Sequence, residues 1–276
     1  RMILGDNLSV MNALIEENYS NKIDMIYLDP PFFSNATYTH NIKIHDLQQK
    51  GKTTLERFAY EDLFQYGIES YLNILYPRLK LMKELLSEQG TIWVHVDRRL
   101  SHYVKVMMDQ DDLFGYNNFV NEIIWTYTGG TDRTKGFPHK HDNILLYSKS
   151  PDFKFNPIYV DFSEATKKRF YRTDESGKRF KENRLIDGRI TRTYMKEKGK
   201  YCPDYWHFNI LVNSHSEATG YQTQKPLALI KRMIEASTDE GDIVADFFMG
   251  SGTIPHAAEI MNRRWIGNDI ADIAID

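Results

Sequence analysis

The tetrapeptide Asp-Pro-Pro-Phe, from Asp29 to Phe32, combines residue types that could hold a planar amino group. Neither Pro30 nor Pro31 can donate an N–H, and each fixes its φ. Their carbonyls stay free to accept hydrogen bonds. The Asp29 carboxylate and the Pro30 carbonyl would be two fixed acceptors, and Phe32 offers a flat stacking face. This set suits the exocyclic –NH2 of a base, whose nitrogen could then attack an activated methyl group. The alternative is an ordinary loop with a capping aspartate and core aromatics.

The second informative stretch is ADFFMGSGT, residues 245–253. Asp246 ends an apolar run, and the glycines Gly250 and Gly252 allow the backbone to approach a ligand closely. Thr253 begins a predicted helix, whose free N–H groups favour an anion. An acceptor beside an anion site suits a ligand that carries both an ammonium and a carboxylate, as the methionine part of S-adenosylmethionine does. A glycine turn alone is a weak signal, because many strand-to-helix turns use glycine.

A further carboxylate, Asp269, ends the next predicted strand, 23 residues after Asp246. An acidic residue at that place in a βαβ unit commonly accepts hydrogen bonds from ribose hydroxyls. An aspartate is also a good helix N-cap, and the two roles are compatible.

These residues need elements to position them, and strands alternate with helices along the chain. That alternation predicts an α/β fold with a mainly parallel sheet. The predicted strands are Met2–Leu4, Ile23–Leu28, 91–97, 121–127, 141–149, 242–248 and 263–269. The predicted helices are Leu8–Ile15, one around Leu55, Phe58 and Leu63, Tyr71–Gln89 ended by Gly90, one from Leu100, one opened by Pro226, and one between the last two strands. Residues 128–140 and 151–220 break the alternation.

Charge is unevenly distributed in this chain of 276 residues, whose net charge is −3. Between Thr166 and Lys200 there are 13 Lys or Arg against 5 Asp or Glu. Such a local excess favours a face for phosphates, and a solvated insertion is the alternative. Aromatic residues are interleaved with the basic ones, which suits phosphate contacts together with contacts to base edges.

Composition sets the remaining expectations. The single cysteine, Cys202, fits a reducing compartment, and no apolar run is long enough to span a membrane, so we expect a cytoplasmic protein with no membrane partner. The histidines and Cys202 match no zinc spacing, so we expect no metal. The chain starts at Arg1 and ends at Asp276 within patterned sequence, which favours a segment of a longer protein.

With these motifs in order, the sequence resembles the DNA amino-methyltransferases, which methylate adenine N6 or cytosine N4. The resemblance covers nearly the whole chain outside about 150–220. DPPF resembles the catalytic motif of that family, DFFMGSGT its cofactor motif, TQKP (223–226) the segment before the cofactor motif, and ILGDNL (3–8) a third motif. The catalytic motif precedes the cofactor motif, as in the circularly permuted β-class of restriction–modification systems.

The resemblance implies a Rossmann-like, S-adenosylmethionine-dependent methyltransferase fold. Its sheet would be mainly parallel and seven-stranded, circularly permuted and interrupted by an inserted target-recognition region. Residues 1–150 would form the catalytic half of the methyltransferase domain, 151–220 the insertion, and 221–276 the cofactor-binding half.

The resemblance also implies roles for single residues. Asp29, Pro30, Pro31 and Phe32 would hold a base flipped out of double-stranded DNA. The methionine end of the cofactor would contact Asp246, the turn Gly250, Ser251, Gly252 and Thr253, and the segment Gln224, Lys225 and Pro226. Phe248 and Asp6 would lie near its adenine, and Asp269 would bind its ribose. A homodimer or a partner subunit is expected, since the class often dimerises.

Two departures and three alternatives accompany the resemblance. Phe247 stands where the family often has proline, and Phe32 replaces the commoner tyrosine. Asp29 at the first position favours adenine N6, with cytosine N4 as the alternative. The chain could also be a methyltransferase-like DNA-binding subunit without activity, although Asp29 and the cofactor glycines are all present. Methylation of RNA or protein is less favoured, because the basic insertion resembles a reader of duplex DNA.

Overall fold

The structure is a computed structural model that describes residues 1–31, 67–129, 135–212, 215–221 and 223–271, and the backbone of two further strands. The strands are β1 (Met2–Leu4), β2 (Ile23–Leu28), β3 (Thr37–Ile44), β4 (Thr53–Glu61), β5 (Leu86–Val96), β6 (Phe119–Thr126), β7 (His141–Ser148), β8 (Tyr159–Val160), β9 (Arg172–Thr173), β10 (Arg179–Arg184), β11 (Ile190–Tyr194), β12 (Lys200–Tyr201), β13 (Tyr205–His207), β14 (Ile243–Asp246) and β15 (Arg264–Asp269). The helices are α1 (Asn7–Glu16), α2 (Ile68–Leu85), α3 (Ser101–Met108), α4 (Glu164–Arg169), α5 (Leu227–Ser237) and α6 (Thr253–Ile260). Within the described residues, no helix is both long and apolar enough to cross a membrane.

A mainly parallel sheet of eight strands forms the first compact unit, as the α/β prediction requires. Its order is β1-β15-β14-β2-β5-β7-β6-β13. The first five strands run parallel to their neighbours, β7 is antiparallel to β5 and β6, and β13 is parallel to β6. Strands β14 and β15 come from the C-terminal end of the chain, yet they lie between β1 and β2. This order brings the glycine turn after β14 beside the end of β2.

Both faces of the central strands are buried, which explains the continuous apolar run of β2. One face packs with α1, α2 and α3 in the main hydrophobic core. Because side chains alternate along a strand, Tyr27, Trp93 and His95 lie on the opposite face. There the Trp93 indole N–H donates to the Ser237 hydroxyl of α5, at 2.8 Å. The second face therefore carries polar side chains close to the ends of β2 and β5.

The predicted helix around Leu55, Phe58 and Leu63 is wrong. Strand β4 occupies Thr53–Glu61 and pairs antiparallel with β3, and Leu63 lies outside the described residues. The segment TTLERFAYE has four Thr, Phe or Tyr residues that favour strands, and β3 supplies the adjacent partner that a single-segment pattern does not reveal.

Two further differences concern boundaries. Helix α2 ends at Leu85 and not at Gly90, because β5 already begins at Leu86. A Cβ at Gly90 would lie 3.0 Å from the Ile23 carbonyl oxygen, so this glycine allows the close approach of β2. The eighth sheet strand is β13, a three-residue edge strand too short to show an apolar pattern.

A second compact unit spans Pro157–Pro203. It contains the pair β8–β12 and the three-stranded sheet β9-β10-β11. Phe180 is buried in it, with its ring 5.6 Å from that of Tyr194 and the Arg192 guanidinium 4.8 Å above it. This unit carries 13 Lys or Arg against 7 Asp or Glu. Residues 151–156 and 204–220, which were expected to belong to the insertion, are part of the first unit.

Candidate active site

The carboxyl ends of β2 and β14 meet at one edge of the sheet. Asp246 is the register partner of Tyr27, and Asp29 follows two residues after Tyr27. Ligands bind at this edge of open α/β sheets. The chain leaves β2 through Pro30, which is buried, and Pro31, which is half-buried. Phe32, predicted to stack on the base, lies outside the described residues.

The Asp29 carboxylate is held by the side chains of Lys225 and His95. Its Oδ2 forms an ion pair with the Lys225 ammonium, and its Oδ1 lies 3.3 Å from Nδ1 of His95. Burial alone would raise the pKa of the Asp29 carboxyl, but the charges of Lys225 and His95 outweigh it and lower the pKa to about 2. Asp29 is therefore ionised at neutral pH and can accept hydrogen bonds at both oxygens.

The glycine turn after β14 is fixed by the end of β15. Oδ2 of Asp269 accepts the Gly250 N–H at 2.7 Å, and its Oδ1 accepts the Ala271 N–H at 2.9 Å. Gly250 has a φ of +51°, and a Cβ added there would lie 3.4 Å from the Tyr221 ring. Gly252 is the N-cap of α6 and has a φ of +74°. Glycine is therefore favoured at both positions of this turn by the left-handed backbone conformation.

Asp246 is the least exposed of the acidic residues at this edge, at 2%. Its Oδ1 accepts the Phe248 N–H at 2.9 Å. Burial raises the pKa of the Asp246 carboxyl well above its ordinary value, and the nearby charges of Asp29 and Asp269 raise it further. A cationic group bound beside Asp246 would offset both effects.

A separate network of hydrogen bonds holds the start of α1 against the segment that leads into the glycine turn. Asp6 is the N-cap of α1 and accepts the Ser9 N–H at 3.2 Å. The amide of Asn7 donates to the Phe247 carbonyl at 3.1 Å, and Arg78 Nε donates to the Asn7 amide oxygen at 2.7 Å. The guanidinium of Arg78 also lies 3.5 Å from Asp6 Oδ2. Phe247, where the family often has proline, is a fully buried core residue.

These features surround one open cavity, with about 1020 Å³ of empty space that includes space open to solvent. The cavity brings together most of the predicted site residues, which are Asp6, Asp29, Pro30, Pro31, Lys225, Asp246, Phe248, Gly250, Ser251, Thr253 and Asp269. Four of them are aspartates, and the charged side chains opposing them in the lining are Arg78 and Lys225. The described lining is therefore acidic, with apolar walls, and suits a ligand that has a cationic part.

Three predicted residues do not line this cavity in the described part of the chain. Gln224 accepts the Thr219 N–H at 2.7 Å and donates to the Glu217 carbonyl at 2.8 Å, so it holds its own segment together. Pro226 is the N-cap of α5, and Gly252 is the N-cap of α6. These three residues therefore lie outside the cavity lining, in the segments that lead to it.

The sequence interpretation missed His95, Tyr221 and Arg78. His95 was hidden in the apolar strand segment TIWVHVD, where a polar residue beside a strand end was the available signal. Arg78 lies among the apolar residues of α2 and shares a helix face with them. Lys225 was assigned to the methionine pocket, and the structure pairs it with Asp29. No group of three or more His, Cys, Asp or Glu in the described residues could hold a metal ion.

Several curated proteins are similar to this chain in sequence. The type II methyltransferase M.EcaI of Enterobacter cloacae is 28% identical over 97% of this chain, which spans 66% of its length. Other relatives are named Mod subunits of type III restriction–modification enzymes, and the chain spans half or less of each. The chain thus corresponds to only part of most of these relatives.

Two solved structures share the fold. The M1.HpyAVI–SAM complex has a TM-score of 0.59 and 18% identity, with 99% of this chain and 93% of that chain covered. The cytosine-N4-specific PvuII DNA methyltransferase has a TM-score of 0.61 and 15% identity, with 98% and 81% covered. The family model described as DNA methylase, for N6 and N4 methyltransferases, matches residues 23–276. This chain therefore belongs to the N6/N4 family of DNA methylases.

Proposed function

We propose that this chain transfers a methyl group from S-adenosylmethionine to the N6 amino group of an adenine flipped out of double-stranded DNA. The observation that carries the proposal is the position of the ionised Asp29 carboxylate in the same cavity as the acidic cofactor cleft. Cytosine N4 is the second candidate, because the PvuII enzyme of the same fold is N4-specific. An aspartate at the first position of the catalytic motif favours N6.

The residues of the cleft fit the cofactor. S-adenosylmethionine supplies an activated methyl group when it is bound. Asp246 is buried with a raised pKa, so it gains a favourable partner if it receives an ammonium group. Gly250, Ser251 and Thr253 of the glycine turn line the cavity, where their backbone would approach the cofactor, and Asp269 and Phe248 provide an acceptor and an apolar ring in the same lining. These contacts would bind and orient the cofactor.

Asp29 would act on the target amine as an acceptor rather than as a general base. Its pKa of about 2 makes it a weak base at neutral pH, but both oxygens are negative and can accept N–H donors. Hydrogen bonds from the amino protons to Asp29 and to the Pro30 carbonyl would localise the nitrogen lone pair.

The proposed function also includes the system in which the chain would act and the partners that it would have. The relatives named type II methyltransferases and Mod subunits support a role in modification for a restriction–modification system, with a partner subunit or a second copy as an expected partner. The basic unit Pro157–Pro203 would contact the phosphates and bases of the target sequence. Its net excess of positive charge supports this assignment.

The test is the identity of the methylated nucleoside. The purified chain is incubated with S-adenosylmethionine and unmethylated duplex DNA of mixed sequence, and the digested nucleosides are weighed by mass spectrometry. N6-methyladenine is the expected product. N4-methylcytosine would be consistent with the mechanism but would show that the target base is cytosine and not adenine. If the protein binds DNA but yields no methylated nucleoside, the result would favour a subunit without activity of its own.

A further inference from the structure

A buried histidine lies between two carboxylates next to the catalytic residue. His95 is on β5, which lies between β2 and β7 in the sheet. Its Nδ1 is 3.3 Å from Asp29 Oδ1, and its Nε2 is 3.6 Å from Asp142 Oδ2 on β7. The His95 side chain is completely buried. Each ring nitrogen thus faces an acidic group from a different neighbouring strand.

The charged form of the ring directs a donor toward each of these two carboxylates. A neutral imidazole has one N–H and one lone pair, so one of the two carboxylates would face a lone pair. An imidazolium presents an N–H to both Asp29 and Asp142. A buried cation is costly unless it is paired, and here two anions supply that pairing.

Other groups from the neighbouring strands also face His95. The Tyr27 hydroxyl from β2 lies 3.2 Å from Nδ1, and the Trp125 ring from β6 packs edge-on at 5.3 Å. Lys225, the nearby cation, is ion-paired with Asp29. Tyr127 donates to Asp142 Oδ1 at 3.5 Å, which leaves Oδ2 for His95. The Asp29 and Asp142 carboxylates therefore face the His95 ring, and Lys225 is paired with one of them.

The charges around the ring also favour the imidazolium form of His95. Burial lowers the pKa of His95, but the Asp29 and Asp142 carboxylates outweigh burial and the Lys225 charge, so that the pKa is raised above its ordinary value.

We propose that His95, as an imidazolium, is the positioning residue for methyl transfer: it holds Oδ1 of Asp29 and thereby orients Oδ2 toward the cavity for the target amino group. The proposal rests on the proposed function and deepens it. Oδ2 is the oxygen that contacts Lys225, a residue of the cavity lining, whereas Oδ1 is directed to the sheet. A carboxylate held at one oxygen from behind keeps its other oxygen in a defined direction.

The proposal predicts a pH dependence with a defined sign. Because the pKa of His95 is raised, the imidazolium is present below that pKa and is lost as the pH rises through it. Loss of the proton places a lone pair against Asp29 or Asp142 and releases the carboxylate. The single-turnover rate of methyl transfer from preformed complexes should therefore fall on the alkaline side.

Two substitutions separate positioning from packing. His95→Asn keeps an N–H near the place of Nδ1 but cannot titrate, and His95→Leu keeps the volume without a donor. Exposed His102 of α3 gives the matched control His102→Leu. Single-turnover rates are measured between about pH 6 and 9, the range over which a perturbed histidine titrates. The dissociation constant for S-adenosylmethionine is measured in the same preparations by calorimetry.

We expect the alkaline fall of the wild-type rate to disappear in His95→Asn, with a rate within about tenfold of wild type at low pH. We expect His95→Leu to be roughly 100-fold slower, with cofactor affinity unchanged. A His95→Asn profile that keeps the wild-type fall, or a His95→Leu rate equal to wild type, would overturn the proposal. If His95→Leu does not fold, the His95→Asn profile decides.

A readout without activity separates this proposal from the proposed function. In the nitrogen NMR spectrum of the wild-type protein, both ring nitrogens of His95 should be protonated at neutral pH, and Asp29→Asn should lower the pKa of the ring. A neutral His95 would overturn the inference even in an active enzyme. A charged His95 in a protein that methylates no DNA would instead count against the proposed function.

Discussion

At the scale of single residues, the site gives two aspartate carboxyl groups pKa values that are shifted in opposite directions. The charges of Lys225 and His95 lower the pKa of Asp29 to about 2. Burial raises the pKa of Asp246, and the charges of Asp29 and Asp269 raise it further. The first group is thereby prepared to accept hydrogen bonds from a neutral amine. The second is prepared to receive a cation, which fits the ammonium of the cofactor.

Asp246→Asn should weaken the binding of S-adenosylmethionine by about 10- to 100-fold, because a hydrogen bond to a charged group contributes about 1.5–3 kcal/mol. The amide oxygen can still accept the Phe248 N–H, so the turn should keep its shape. Isothermal titration calorimetry measures the effect, with exposed Glu240→Gln as the matched control. Equal affinities for wild type and Asp246→Asn would remove Asp246 from the cofactor site.

The same substitution should raise the stability of the unliganded protein. The folded-state pKa of Asp246 lies above its unfolded value, so folding is penalised once the unfolded carboxyl ionises, above about pH 4, and the penalty grows as the pH rises toward the folded pKa. Asp246→Asn removes this penalty. Without cofactor, its melting temperature should exceed that of wild type near pH 7 and approach it near pH 4. A variant that is less stable than wild type near pH 7 would contradict this account.

How far the residues could be predicted depends on whether they lie in a local motif. Asp29 directly precedes two prolines, and Asp246 lies four residues before Gly250 at a strand end, and the structure places all three in one cavity. Neither His95 nor Arg78 belongs to a proline or glycine motif at a strand end. Their positions depend on which strand and helix lie beside the cavity, and that is a property of the sheet order rather than of their sequence neighbours.

At the scale of elements, the site is a product of strand order. The parallel strands β2, β14 and β15 end at the same edge, and each end contributes an aspartate. The prediction of an α/β sheet succeeded because long apolar runs such as Ile23–Leu28 carry a strong signal. The hairpin of β3 and β4 was missed, since its pairing partner and not its own pattern determines its structure.

Gly250→Ala should weaken cofactor binding by about tenfold, because a left-handed alanine costs about 1–2 kcal/mol and the turn would shift beside the cavity. The matched control is Gly241→Ala, at a φ of +86° with open space around it. Both variants should lose stability in thermal unfolding, but only Gly250→Ala should lose affinity in calorimetry. Equal losses of affinity would show that the turn does not contact the cofactor.

At the scale of the whole molecule, charge is divided between the two units. The unit Pro157–Pro203 has a net excess of six positive charges, and the rest of the chain is correspondingly acidic, since the total is −3. This division suits a protein that binds a polyanion with one unit and a cationic cofactor with the other. The excess was visible in the sequence, whereas the bounds of the unit required the structure.

Replacing Lys196 and Lys198 by glutamine should weaken DNA binding and reduce the slope of log affinity against log salt by about 0.9 for each phosphate that the protein no longer neutralises. Both lysines lie near the turn between β11 and β12, above the rings of Tyr201 and Tyr159. The matched control replaces the exposed Lys22 and Lys80 of the other unit. Fluorescence anisotropy across a salt series gives the slopes, and identical slopes for the two double variants would contradict a DNA-binding role for this turn.

The most direct test of the central claim is the single-turnover transfer of methyl groups by Asp29→Asn, with cofactor binding measured in the same preparation. The claim is that Asp29 acts on the target amine in the cavity that also binds S-adenosylmethionine. We predict a dissociation constant for the cofactor within about threefold of wild type, a change of less than 1 kcal/mol, together with a loss of methylated nucleoside. Methyl transfer by Asp29→Asn at the wild-type rate would contradict the claim.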